Sequence, residues 1–343
     1  MSKSAKAFSP KEFTCWVKGE SAAGTSVLGT SMFQLDVDSV SFPTLNVTQA
    51  LDLRNGGRVL KDADFFQDNT LRVVELSISG TMHEDAGHQL LMQNICNDYS
   101  GNPAVAHTYT PPSIAYEDGD GSASTNASAG DTMTIVIAGA DETNSGTGNV
   151  QLSNTRNLVM PGMICTNFVL SADAGTEGGR VKFSATLQSG KKPTFNDATT
   201  CGGTYYVGTD TKSFNTSTEH LVAGLEVVMS NFTVTLDNPA SFYGMCSTGY
   251  EGVTRGAEFA VTFDTQVKYD SVTKDLVHTF DTQTGAIAAN LFEFTNNNAF
   301  GVDIDNGILT NVAYSEGDLM MIDVSGKATS DGSTVLVTFD CNE

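Results

Sequence analysis

Two histidines flank two carboxylates in His83-Glu84-Asp85-Ala86-Gly87-His88, the stretch of this chain closest to a metal-binding pattern. A zinc-protease helix needs its histidines four apart, on one helical face, with a glutamate between them as general base. Here they are five apart. At about 100° per residue the rings would stand roughly 140° apart on a helix, and His83 falls in the phase of the preceding strand. The pair therefore reads as two polar surface residues beside a helix start. Glu117-Asp118-Gly119-Asp120-Gly121 and Asp303-Ile304-Asp305-Asn306-Gly307 are rich in oxygen ligands, but neither carries the full alternating calcium loop with its terminal glutamate. Both read as acidic turns.

No G-x-S-x-G elbow, phosphate loop or dinucleotide fingerprint is present, so nucleophilic and nucleotide chemistry lack their supports. The six cysteines, Cys15, Cys96, Cys165, Cys201, Cys246 and Cys341, form no CxxC pair, which leaves reduced and mostly buried thiols as the expectation. Four N-glycosylation sequons begin at Asn46, Asn126, Asn215 and Asn231, and they matter only in a secretory route. Trp16 is the only tryptophan, a poor supply for an aromatic platform that stacks sugars or bases. The expectation is a protein with no catalytic residues, no metal and no cofactor.

The elements around these residues are strands. The 343 residues favour two medium domains over one. The formal net charge is -22, from 40 acidic residues against 18 Lys and Arg. Such a balance disfavours tight electrostatic binding of nucleic acid while leaving passing contact open. The first twenty residues lack the apolar run of a secretory signal, so synthesis in the cytosol is expected. No stretch has the run of roughly 18 to 20 apolar residues that spans a bilayer.

The sequence repeats. Val74, Leu76, Ile78, Gly80 and Met82 alternate with polar residues, the period of a strand with one buried face. Phe259, Val261, Phe263, Thr265 and Val267 do the same 185 positions later. Each strand is followed by an aspartate suited to cap a short helix, Asp85 and Asp270. Upstream, Leu45, Val47 and Thr48 match Phe232, Val234 and Thr235. Downstream, Ile164-Cys165-Thr166-Asn167-Phe168 matches Ile308-Leu309-Thr310-Asn311-Val312, and Val181, Phe183 and Ala185 match Met320, Ile322 and Val324. The copies differ by about 41 residues between helix and strand, placing a surface insertion at about 97–155. The expected organisation is an N-terminal arm over 1–30, a first domain over 31–193, a linker over 194–215 and a second domain over 216–343. Each domain is expected to be an antiparallel β-sandwich or partly closed barrel with a short flanking α-helix.

The stretch from Leu35 to Ile95, and its partner from Leu225 to Phe280, resembles the major tail tube proteins of tailed bacteriophages, in the order of strand, long loop, strand and flanking helix. The resemblance implies two tandem tail-tube-like domains and a structural virion protein. Its subunits close into rings, the rings stack, and the conduit carries double-stranded DNA from capsid to host. It implies synthesis in the bacterial cytoplasm, residence in the virion tail, and contacts with tape-measure, tail-end and head-connector proteins, with no membrane insertion. If each domain gives about four strands, six domains supply about 24, and tilted strands enclose a bore of roughly 35 to 40 Å. A duplex about 20 Å wide passes through it. A duplicated chain then needs three copies, a trimer with pseudo-sixfold symmetry, whose charge of about -66 per ring discourages DNA from adhering.

Candidate lumen-facing positions are Glu75, Ser77 and Ser79 in the first domain and Thr262 and Asp264 in the second. Alternation places them off the core without choosing bore or outer wall. The long loops Asp52 to Thr70 and Asp237 to Arg255 are candidates for contacts between rings through Phe65, Phe66, Phe242 and Tyr243, or for packing back onto their own domains. The alternatives are a secreted or surface β-sandwich adhesin or carbohydrate-binding protein, or another virion structural protein with the same domain.

Overall fold

The computed structural model describes residues 13–21, 24–29, 31–43, 48–51, 65–68, 73–83, 85–96, 107–109, 132–139, 157–197, 203–204, 219–244, 250, 252–255, 258–296, 300–330 and 336–341. Within them the chain is mainly β, with large antiparallel sheets. No helix among them is long and apolar enough to cross a membrane.

The centre of the fold is an unbroken antiparallel ribbon. Its order is Ser39–Val40, Val74–Thr81, Lys182–Ser189, Asn157–Asp173, Met229–Asp237, Ala260–Lys268, Met321–Ala328 and Gly307–Ser315. Period-two patterning gives the ribbon two unlike faces. Leu76, Ile78, Phe168, Leu170, Phe183, Phe232, Val234, Phe263 and Val324 point to the core and are almost wholly buried; the residues between them are polar apart from Val169.

Two different layers cover the apolar face. Over the first half lie the helix Ala86–Cys96, every residue of which is buried, and the strands Met32–Leu35, Phe13–Gly19 and Met133–Gly139. The helix touches the long strand Asn157–Asp173 as well as Phe13–Gly19 and Met32–Leu35. Over the second half lies a six-stranded sheet ordered Leu225–Glu226, Glu219–Val222, Phe292–Asn296, Phe300–Ile304, Thr338–Cys341 and His107–Tyr109. There Phe294 meets Phe232 at 4.6 Å and Phe292 meets Phe263 at 4.9 Å between ring centroids.

One pairing diagram occurs twice. Phe168 pairs with Ala185, which pairs with Ile78, which pairs with Val40. In the second half Val312 pairs with Val324, Val324 with Thr265, and Thr265 with Phe232. The correspondence reaches the covering layers, where Val17–Ile135–Met160 has its counterpart in Val222–Phe292–Ile304. Even the irregularities agree. Thr166 is the extra residue of a β-bulge in Asn157–Asp173, and Thr310 is the extra residue in Gly307–Ser315. The Thr-Asn identity read in the sequence thus marks a shared bulge.

Several expectations change. Phe13–Gly19 is no part of an arm but a buried strand, with Trp16 and Val17 shielded from solvent. The stretch at 97–155 is no mere surface insertion, because Met133–Gly139 runs between Phe13–Gly19 and Asn157–Asp173 with a buried face on each side. Thr194–Asp197, placed in the linker, pairs with the long strand. Thr48 does not occupy the place of Thr235; it opens a separate hairpin, Thr48–Leu51 with Phe65–Asp68, and the pairing puts Val40 where Phe232 stands. Leu76 corresponds to Phe263, two residues beyond the sequence match. A shift of two keeps every side chain on its face, so alternation alone cannot detect it.

Candidate assembly surface

The five positions expected to avoid the core lie on one continuous face. Glu75, Ser77 and Ser79 project from Val74–Thr81, and Thr262 and Asp264 from Ala260–Lys268, opposite in phase to the buried residues. Register links them across the ribbon. Ser79 is opposite Ser184, Ser184 opposite Val169, Val169 opposite Thr235, and Thr235 opposite Thr262. Neighbouring hydroxyls, amides and carboxylates satisfy one another: the Gln188 amide donates to Glu75 at 3.0 Å, and the Ser325 hydroxyl donates to Asp264 at 2.6 Å.

The charge of this face is modest. Glu75, Asp173, Asp237, Asp264 and Asp323 stand against Lys182, Lys268 and Lys327, and most other positions are Ser, Thr, Asn or Gln. Two of the lysines are engaged, Lys182 with Asp38 at 3.0 Å and Lys327 with Glu258 at 2.7 Å. Lys327 holds the exposed Glu258 carboxyl below its ordinary range. The strong acidity of the chain is therefore not concentrated here. The face is a hydroxyl and amide surface with a small acidic excess.

The ribbon ends in two edges, formed by Ser39–Val40 with the residues after it and by Gly307–Ser315; among the described residues neither has a further strand beside it, although Gly307 is bridged to Ile287 and the Leu309 amide donates to Gln283, which leaves the part of that edge from Asn311 to Ser315 open. Phe42 is 49% exposed and Tyr314 is 50% exposed. Their counterparts inside the ribbon, Val234 and Leu170, are 0% exposed and pair with each other. The Tyr269 ring packs edge-on against Tyr314 at 5.8 Å, and the Tyr269 amide donates to the Met320 carbonyl; Met320, its neighbour Leu319 and Val272 are exposed apolar residues. Neither Phe42 nor Tyr314 was singled out from the sequence. The Thr-Asn alignment could have found Tyr314, since it sets that exposed ring against Leu170.

Each half sends a hairpin from the ribbon between its first and second strands. Phe65 and Phe66 lie in the first, opposite Leu51 and Ala50, and their side chains fall outside the described residues. The second pairs Ser241–Tyr243 with Gly252–Thr254. Phe242 is half-buried and packs against Tyr250 at 5.8 Å, beside Gly190 of the first half. Tyr243 is 51% exposed. Of this pair Tyr243 presents a surface, and Phe242 packs inward.

The base of that hairpin is fixed by Arg255, only 4% exposed. Its guanidinium donates to the Asn238 carbonyl at 2.6 Å, to the Cys165 carbonyl at 2.8 Å, and to the carbonyl and side-chain oxygens of Asn94 at 3.1 and 3.2 Å. Asn94 is on the first helix and Cys165 on the long strand, so one buried cation joins hairpin, helix and ribbon. Glu20 plays a similar part at the N-terminal side. It accepts from the Thr132 and Thr134 hydroxyls at 2.5 and 2.6 Å and from the Gly24 and Gly162 amides at 2.7 and 2.9 Å. Burial still raises its carboxyl above the ordinary value despite these bonds.

His83 and His88 are not surface residues. They are 2% and 0% exposed, with ring centroids 5.4 Å apart. His83 bonds Asp36 at 3.0 Å and His88 bonds Asp85 at 2.8 Å. Burial, followed by the charge of His88, lowers the His83 pKa. Burial pushes Asp85 upward, but the bonds and charge of His88 outweigh it and hold Asp85 below its ordinary value. Among the described residues no group of His, Cys, Asp and Glu is arranged to hold a metal ion; Glu117 to Gly121 lie outside them. Cys15 and Cys165 are buried thiols pushed up to about 12, which leaves them poor nucleophiles.

No family model matches the chain, and no curated protein matches it.

Proposed function

We propose that this chain is a ring-forming structural subunit whose stacked rings make the tail tube of a tailed bacteriophage, a conduit for double-stranded DNA. The observation that carries the reading is the eight-strand ribbon built from two four-strand sets of one pairing diagram, polar on one face and covered on the other. A ribbon with two open edges and a finished outer layer is half-way to a closed wall. Three copies supply about 24 strands, enough for a bore of roughly 35 to 40 Å. The duplication places six near-equivalent units around a threefold axis.

In this reading the uncovered polar face lines the bore, with Glu75, Ser77, Ser79, Thr262 and Asp264 on it, and the helix and outer strands face away from the DNA. Lubrication comes from hydrated hydroxyls with few unengaged cations more than from a dense acidic field. Phosphate binding requires lysine or arginine to release counterions, and Lys182 and Lys327 are already paired. The hairpins, with Tyr243 exposed, project towards the next ring. Tape-measure, tail-end and head-connector proteins would be the chain's partners in the assembled tail.

Negative-stain microscopy of the purified chain tests the proposal. Rings or tubes about 100 Å across with sixfold modulation are expected. Dispersed monomers that bind glycans would replace the conduit by the adhesin.

A further inference from the structure

The seam inside the ribbon serves as a template for a seam between copies. Where the two halves meet, Met229–Asp237 lies against the end of Asn157–Asp173, with Val234 opposite Leu170, Thr233 opposite Ser171 and Phe232 opposite Ala172. Both strands have counterparts at the free edges. Val40 stands where Phe232 stands, because Val40 pairs with Ile78 as Phe232 pairs with Thr265. Leu170 corresponds to Tyr314 through the shared bulges, since Leu170 pairs with Phe183 and Tyr314 with Ile322.

We infer that the Gly307–Ser315 edge of one copy pairs antiparallel with the segment Val40 to Phe42 of a second copy, in the register of the internal seam, setting Tyr314 opposite Phe42 and Ser315 opposite Ser41. This deepens the ring reading above and rests on it. Two independent features favour a second copy as the occupant. The residues left exposed at the two edges, Phe42 and Tyr314, are the ones whose buried counterparts already meet in the internal seam. Leu319 and Met320, exposed in the turn that leaves the Gly307–Ser315 edge, and Val272, three residues beyond the Tyr269 that packs on Tyr314, also present apolar side chains at that end of the ribbon, where a neighbour's first half would cover them. Unpaired edges of this kind invite strand addition, and a matching edge on the same molecule gives a heterologous contact that closes into a ring if the rotation fits.

Cysteine cross-linking of the full chain reads the register. Opposed residues of antiparallel strands have Cα atoms about 4.5 to 5.5 Å apart, within disulfide reach. Phe42→Cys combined with Tyr314→Cys is expected to give covalent dimers and trimers after mild oxidation of assembled rings. Either single variant should give none, which also controls for the native thiols. Phe42→Cys with Val312→Cys, displaced by two residues or about 7 Å, should cross-link at least tenfold less. Rings that form while the displaced pair links better, or while neither pair links, would overturn the register and leave the ring standing. Absence of rings in the unaltered chain would overturn the assembly itself.

If the cysteine pair does not assemble, a charge exchange decides. Phe42→Lys and Tyr314→Glu should each abolish rings while circular dichroism shows a folded chain, and the double variant should restore them. Failure to restore would reject the pairing.

Discussion

The two helical regions share a start and differ in everything after it. Asp85 accepts the amides of Gly87 and His88 at 2.9 and 3.0 Å, and Asp270 accepts those of Val272 and Thr273 at 2.9 and 3.2 Å. The first helix then runs eleven residues with all of them buried, while the second, Leu276–Asp281, has six and buries only Leu276. Leu90, Leu91, Met92, Ile95 and Cys96 make the first helix apolar around most of its circumference, which suits an element packed on several sides. The second has too few apolar residues to seal the sheet end beneath it, and Val272, Tyr314, Leu319 and Met320 stay exposed. One half is covered by a buried helix. The other leaves apolar side chains exposed, at the end of the ribbon where the proposed contact between copies lies.

Substitutions can break this contrast. The largest expected effect lies where the halves are tied. Arg255→Ala would strand buried acceptors on Asn94, Cys165 and Asn238, at a cost of about 3 kcal/mol or more. Urea denaturation should show a lower midpoint or a separate early transition of one half; an unchanged curve would mean that the seam does not depend on Arg255.

Next comes the packing of the helices. Leu91→Ala should cost about 2 to 5 kcal/mol by opening a cavity. Phe280→Ala, on the half-buried second helix, should cost less than half as much, and equal losses would remove the distinction. The caps come third. Asp85→Ala should cost about 0.5 to 2 kcal/mol, and Asp270→Ala, at an exposed turn, should lower the thermal midpoint by a smaller amount.

A further effect is the pH dependence that Asp303 adds in the second half. Burial, with Asp305, Glu293 and Asp340 nearby, raises Asp303 from 3.8 to about 7. Between these values the folded chain holds a proton that the unfolded chain has lost, so Asp303's share of stability falls as pH rises from about 4 to about 7 and levels off above. The counterpart in the first half is Val159, paired with Thr194 as Asp303 is paired with Thr338. Asp303→Asn should therefore raise stability at pH 8 by about 1 to 2 kcal/mol after allowance for partial exposure, and leave it nearly unchanged at pH 4. An equal gain at both pH values would point away from ionisation.

Alternation around Leu76, Phe183, Phe263 and Ile322 carried the strands and their buried faces, because side-chain phase is written into consecutive residues. The Asp caps were also legible, since a cap spans only three positions. The Thr-Asn match located two bulged strands before any pairing was known. The rest depends on partners distant in the chain. Nothing near Met133–Gly139 says that it will lie beside Phe13–Gly19, and nothing near His88 says that Phe183 will cover it at 4.9 Å. Thr48 fitted the repeat by type and failed it by register. Arg255 and Glu20 look like ordinary surface charges until their acceptors and donors, supplied by other strands, are brought round them.

The sequence by itself determined which residues turn inward along the alternating strands of the ribbon, where the two helices begin, and that the alternation comes twice, because these depend on near neighbours and backbone geometry. Only the tertiary structure decided that the two sets join side by side in one ribbon, that one helix is enclosed while the other is open, and that Phe42 and Tyr314 stand exposed at opposite edges. Strand pairing is chosen by the combined burial of many remote side chains, and a slip of two residues, invisible to any local pattern, changes every partner while preserving every face.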